Sequence, residues 1–282
     1  QDWERAAQWS DQFTRWCTDN GVSEVHGTCR LHRGEVLAVR GELEEAEREI
    51  SDACRELAVI APWVEGDGHR VLGEICMARG DLEGAEKAFH RARELGWDPH
   101  PSYALFQLAQ AKRTAALRGL ERALADPGWA NRQRRGLLLA HLALVAVACG
   151  DLQRARRALD ELDAAPELWA TLAMTAQVQR ARAELELAEG RTAPAIALMR
   201  QAMRRWQQVG SSWQVAGLRL RLAELLAADG DPETAGVECA AARTTFEAIG
   251  ADALVQRCDE LGDTWSGGGS KARDAAVRPD RR

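Results

Sequence analysis

The sequence predicts an all-α solenoid of about six helix pairs stacked in a row, with one helix capping each end. Three observations predict it. A short motif, usually led by glycine, recurs at near-constant spacing. Small and apolar residues recur at helical offsets from that motif. The alternating pattern of a β-strand is missing, which leaves a dinucleotide-binding βαβ unit nowhere to sit.

The motif Gly41-Glu42-Leu43-Glu44-Glu45-Ala46 returns as Gly80-Asp81-Leu82-Glu83-Gly84-Ala85 and as Gly150-Asp151-Leu152-Gln153-Arg154-Ala155. Weaker copies start at Gly190 and Gly230, and one led by Ala111 fills the long gap after Gly80. The successive starts lie 39, 31, 39, 40 and 40 residues apart. Five residues after each start stands Ala46, Ala85, Ala116, Ala155, Ala195 or Ala235. Four further on stands Ile50, Phe89, Leu120, Leu159, Met199 or Cys239, and three beyond that an Ala or Leu. Offsets of zero, four and seven form one stripe of a helix. Seven residues before each start stands Gly34, Gly73, Ala104, Ala143, Ala183 or Ala223. A small residue there lets a second helix approach closely. The leading Gly ends one helix, and the Asp or Glu after it caps the next by accepting free N–H groups at its positive end.

The elements follow in order. Residues 2–19 form an N-terminal helix with Trp9, Phe13 and Trp16 on one side, within a segment 1–21. The repeats fill 22–250 as helices 23–40 with 42–58, 66–79 with 82–95, 101–110 with 112–125, 132–148 with 151–163, 166–189 with 191–208, and 212–229 with 231–248. No pair can bury its apolar stripe alone, so stacking must do it. A capping helix covers 251–264, running to about 263, and the Gly267-Gly268-Gly269-Ser270 stretch marks 265–282 as a disordered tail or linker.

Composition narrows the function. The 282 residues carry a net charge of −6, which disfavours wholesale nucleic-acid binding. No apolar run approaches the roughly 18 residues of a membrane span, and the first residues precede no signal-peptide core. The seven cysteines are scattered with no disulfide framework, which points to a reducing, cytoplasmic setting. P-loop, zinc-protease, paired-cysteine and nucleophile-elbow motifs are lacking. The expectation is a non-enzymatic chain without cofactor or metal. His26, Cys29 and His32, spaced by three, share a helix face but find no fourth ligand, so they read as a structural cluster. The acidic run from Glu42 to Glu49 reads as a solvated face. The ten Trp fall mostly at helix ends, where they plug joints between repeats, with Trp169, Trp206 and Trp213 open to a second reading as a ligand-pocket wall.

These residues resemble the tetratricopeptide repeat, which has a small residue at position 8, Gly at 15, Ala at 20, a large apolar residue at 24 and Ala at 27. The best copy is Leu72-Gly73, Gly80, Ala85, Phe89, Ala92. The resemblance covers about 22–250 and implies a right-handed α-solenoid. The longer steps, with Cys29 to Glu35 and Gly73 to Gly96, are similar to the repeat region of the MalT/LuxR-type actinobacterial transcriptional regulators. That likeness implies an effector- or partner-binding module between an ATPase domain and a helix-turn-helix domain. Neither is in this sequence, and no nucleic-acid contact is assigned to it.

The resemblance also implies a site. Positions 5, 9 and 12 of each first helix face the concave groove. Position 9 reads Glu35, Glu74, Leu105, Leu144, Glu184 and Glu224; position 5 includes Arg70 and Arg180; position 12 includes Met77, Leu108, Val147 and Leu187. Arg70 with Glu74, and Arg180 with Glu184, stand four apart and pair along their own helices. Glu35 and Glu224 have no such partner at position 5. An apolar centre with charged flanks suits a protein or peptide partner presenting an amphipathic helix, or a small apolar ligand. The other reading is that the central Leu and Val residues only pack a tightly curled superhelix. A free-standing scaffold and a small-molecule binder are the alternatives to the regulator module. For an enzyme, Glu74 as base beside Arg70 as anion holder is the least poor pair.

Overall fold

In the computed structural model, residues 2–21, 27–126 and 132–275 are described. They form fourteen α-helices and a short 3-10 turn, with no strand among them. A lone helix α1 (Trp3–Asp19) precedes six pairs: α2 (Gly27–Arg40) with α3 (Leu43–Ile60), α4 (Pro62–Arg79) with α5 (Leu82–Glu94), α6 (Ser102–Ala109) with α7 (Arg113–Ala125), α8 (Arg132–Ala148) with α9 (Leu152–Asp163), α10 (Leu172–Ala188) with α11 (Thr192–Val209), and α12 (Ser212–Ala228) with α13 (Pro232–Ala248). The last helix, α14, spans Asp252–Ala275. It continues through Gly267–Ser270, which the sequence had assigned to a linker. Residues 276–282 of that tail lie outside the described residues, as do His26 and Trp129.

The recurring small residue packs against the recurring large one of its own pair. A Cβ on Gly34 would lie 2.4 Å from Ile50 Cδ1, and one on Gly73 would lie 2.5 Å from Phe89 Cε1. Ile50 and Phe89 are fully buried, so neither side chain can withdraw. In the other four pairs alanine fills this place and is itself fully buried. The leading glycine takes the left-handed conformation that ends the first helix, as Gly80 does at φ 80°. Ala111 takes the same conformation at φ 58°, so the third turn keeps its shape without its glycine.

Asp81, Asp151 and Asp231 cap the second helices, accepting from the backbone N–H of Gly84, Arg154 and Thr234 at 2.9–3.0 Å. Glu42 makes no such bond, as its longer side chain is a poor cap. Two boundaries differ from expectation. α4 starts at Pro62, whose fixed φ suits the first helical turn. α10 starts only at Leu172, because Thr171 caps it through Met174 N–H at 3.3 Å and Pro166–Trp169 forms the 3-10 turn.

The array closes on itself. Trp213 Nε1, at the start of α12, donates to Ala38 O near the end of α2 at 3.0 Å. Ser212 Oγ donates to Arg40 O at 3.3 Å. The Trp213 ring and Ile249 pack on the core of the first two pairs, and Trp3 of α1 packs on the core of the last two. The start of α14 lies against the end of α4, where a Cβ on Gly80 would be 3.2 Å from Ala253 Cβ. Six pairs thus curl far enough for the first and last to touch, with the first helices facing inward. On the outside, Trp9, Phe13 and Trp16 of α1 are 65%, 40% and 55% exposed.

Candidate functional site

The inward faces enclose a cavity of about 1310 Å³ to which all six pairs contribute. It exceeds the roughly 300–1,000 Å³ of ordinary small-ligand pockets. All twelve groove residues named from positions 5, 9 and 12 line it. Helical spacing is the reason: residues four and seven apart share a stripe, and the small residue at position 8 turns that stripe away from the partner helix.

One sector is acidic and built around Arg70. Its Nε donates to Asp67 at 2.5 Å, its Nη1 to Glu74 at 2.7 Å and its Nη2 to Glu35. Every nitrogen of the guanidinium is therefore engaged. Burial alone would lower its pKa, but Glu74, Asp67 and Glu35 together raise it well above the usual value. Burial raises the carboxyl of Asp67, against the pull of Arg70. Burial also works to raise Glu35, but Arg70 and the hydrogen bond from His32 outweigh it and hold Glu35 low. Ser102 Oγ donates to Glu74 at 2.5 Å. The pair along one helix foreseen for Arg70 and Glu74 is present, but it is one contact of a cluster. Glu35, which has no partner at position 5, pairs with His32 on its own helix and with Arg70 on the next repeat. Three carboxylates already engage Arg70, one on each nitrogen, so its charge is balanced within the cluster.

Beside this sector, Asp98 accepts from His100 Nδ1 at 2.5 Å and from Arg134 Nη2 at 2.5 Å. Burial would raise its carboxyl, but these two bonds pull it down to about 2. The middle of the wall is apolar, formed by Met77, Leu105, Leu108, Leu144, Val147 and Leu187.

The far sector belongs to α10, α12 and α14. Arg221 holds Glu184 through two N–H bonds of 2.8 Å and holds Glu224 at 2.9 Å. Arg257 also binds Glu224 at 2.5 Å. The expected Arg180–Glu184 pair is therefore not made. A planar two-bond fork from α12, the first helix of the next pair, takes that carboxylate instead. Arg180 lines the cavity with its Nε buried and without a hydrogen-bond partner. Burial lowers its pKa, Glu184 opposes through space and Arg221 adds to the lowering. His141 is buried and donates from Nδ1 to Leu137 O at 2.8 Å. Burial pushes its pKa down to about 4, so the ring is neutral at pH 7.

Several wall residues were not read from the sequence: His32, Asp67, Asp98, Arg134, His141, Gln177, Arg221 and Arg257. Asp67, Leu137 and Gln177 stand at position 2, three residues before position 5 and on the same stripe, so helical spacing could have found them. Of the tryptophans, Trp3, Trp97, Trp206 and Trp213 reach the cavity. Trp169 instead plugs a joint, its ring set against Gly136, where a Cβ would be 2.3 Å from Cε3. Cys29 is exposed, and His32 points to Glu35 at 3.1 Å. No group of three or more potential metal ligands gathers among the described residues. All seven cysteines are free, and no described helix is long and apolar enough to cross a membrane.

No family model matches the sequence, and no curated protein does. Solved structures match the fold. A chain of the APC/C hetero-tetramer Cut9-Hcn1 is 16% identical with a TM-score of 0.53, over 91% of this chain and 46% of that one. The chain has a tetratricopeptide-type solenoid fold. A signal-transduction ATPase with a tetratricopeptide repeat sensor from Pyrococcus horikoshii is 12% identical with a TM-score of 0.48, over 88% of this chain and 43% of that one. The TPR2AB domain of yeast Sti1, in complex with an HSP90 peptide, is 16% identical with a TM-score of 0.37, over 94% and 98%. At these identities the likeness is one of fold. The chain spans about half the length of the Cut9-Hcn1 chain it matches.

Proposed function

We propose that this chain is a non-enzymatic interaction module that takes a partner segment or ligand into its central cavity. The observation that carries the reading is the composition of that wall. An apolar middle lies between two charged sectors, and all six pairs supply it. Such a surface stabilises an amphipathic occupant by burying its apolar part while its polar ends meet charge. The chain serves as the effector- or partner-binding part of a transcriptional regulator, a role that rests on the resemblance of repeat spacing to MalT/LuxR-type proteins. An occupant that prefers one curvature of the array shifts the population toward it.

The test uses intrinsic tryptophan fluorescence, since four Trp rings line the cavity. Amphipathic peptides and apolar small molecules are titrated against the wild-type chain and a Leu144→Trp variant that narrows the apolar middle of the cavity. Binding that weakens in the narrowed variant supports the reading. Binding of equal strength in both places the working surface elsewhere. X-ray scattering at saturation then tests the curvature step, which unchanged dimensions would refute.

A further inference from the structure

Among the charged side chains of the cavity, Arg180 stands apart. Arg70, Arg221, Arg257 and Arg134 each hold a carboxylate. Arg180 makes no hydrogen bond or ion pair with a described residue, and its buried Nε has none. The acid nearest in sequence, Glu184, is bound through both oxygens by Arg221. Arg180 is half-buried with its Nε enclosed, and Glu184 reaches it only through space, so no hydrogen bond offsets the solvation its guanidinium has lost. A second donor on the same wall, Trp206 Nε1, is also buried without a partner.

We propose that Arg180 is an anion-recognition subsite, and that the occupant of the cavity is an amphipathic monocarboxylate whose carboxylate pairs with Arg180 while its apolar body lies along Leu144, Val147 and Leu187. This rests on the cavity being the working surface, as proposed above. The charge balance of the two sectors fixes the polarity. Arg180 feels Glu184 and Arg221, and Arg221 leads on through Glu224 to Arg257, so this sector holds three guanidiniums against two carboxylates. Around Arg70 stands one guanidinium against Glu35, Asp67 and Glu74. An anionic head is therefore favoured at Arg180 and repelled at the opposite sector, which selects one carboxylate and disfavours a second at the far end. Neutral His141 beside Arg180 offers no competing charge. Gln177 lies three residues before Arg180 on the same stripe and brings an amide donor to that part of the wall. Leu187 lies seven residues after Arg180, which at 1.5 Å per residue sets the apolar body about 10 Å long. A guanidinium fork matches the two oxygens of a carboxylate.

The probes are decanoate, decanol and decyltrimethylammonium, each titrated by calorimetry below its aggregation concentration into the full chain. Wild type, Arg180→Met and Leu144→Trp are compared. Decanoate should bind at least tenfold more tightly than decanol, and the cation should bind weakest. Arg180→Met should erase the decanoate preference and leave decanol unchanged. It should also raise the melting temperature of the free protein, because it removes a half-buried charge whose Nε has no hydrogen-bond partner. Equal binding of decanoate and decanol to wild type overturns the anion subsite but leaves the cavity reading standing. A decanoate preference that survives Arg180→Met, or a variant that melts lower, assigns Arg180 a structural role and also overturns it. Binding undiminished in Leu144→Trp overturns the cavity reading itself. No binding of any probe overturns the monocarboxylate occupant.

Discussion

Replacing His141 by Asn should flatten the acid sensitivity of the fold. His141 is 5% exposed, and its Nδ1–H bonds Leu137 O within α8. Its folded pKa of about 4 lies below the ordinary 6.5. A group shifted this way binds more protons when unfolded. Its contribution is thus full above about pH 6.5 and is lost as pH falls toward 4. At about 1.4 kcal/mol per pH unit, the whole window is worth about 3 kcal/mol, and the part above pH 5 about 2 kcal/mol. Asn keeps an N–H donor close to the Nδ1 position and cannot titrate. The carboxylates drawn low, Asp98 and Glu35, lose their contribution only as pH falls below the usual carboxylate range. His69, lowered by burial, and His32, raised by its bond to Glu35, are common to both proteins and cancel in the comparison. The assay is urea unfolding followed by circular dichroism at pH 7, 6 and 5. Wild type should lose about 2 kcal/mol more than His141→Asn between pH 7 and 5. Parallel pH profiles would refute the assignment of a buried, neutral imidazole.

Three further outcomes follow from the repeat geometry. Gly73→Ala should cost about 1–3 kcal/mol in urea unfolding, because the new methyl meets the immobile Phe89 ring at 2.5 Å. Ala111→Gly should stabilise by up to about 1 kcal/mol, since it relieves a left-handed alanine at φ 58°; a lower midpoint would contradict that strain. Trp213→Phe keeps an apolar ring but loses the bond to Ala38 O, so about 1 kcal/mol of closure should vanish. Faster hydrogen exchange at the Gly41 and Glu42 amides, with a larger radius of gyration, is the expected readout.

The fold was legible where a local rule repeats. Gly73 and Phe89 are 16 residues apart in one pair, and the same spacing recurs in every copy, so a packing contact became visible as a period. Asp81, Asp151 and Asp231 announced helix starts through cap chemistry that needs only four residues. Thr171 carries the same chemistry but lies outside the repeat motif, and Pro62 reads equally as a breaker or as a first-turn residue. The cavity wall was legible because positions 5, 9 and 12 share a stripe. Its pairing was not. Arg221 and Glu184 are 37 residues apart, and which of Arg180 and Arg221 wins that carboxylate depends on the angle between two helices. The end-to-end contact between Trp213 and Ala38 was hidden for a stronger reason. It is set by small rotations summed over six pairs, and no single segment encodes the sum.

That contact changes how the molecule comes apart. In an open string of repeats the terminal units have one neighbour each, so they fray first and melting spreads inward. Here the terminal units are seated on each other through Trp213, Ile249 and Trp3. Among the described residues the terminal pairs leave no loose end from which to unzip, and anything that reaches the cavity passes through a face or waits for the joint to part.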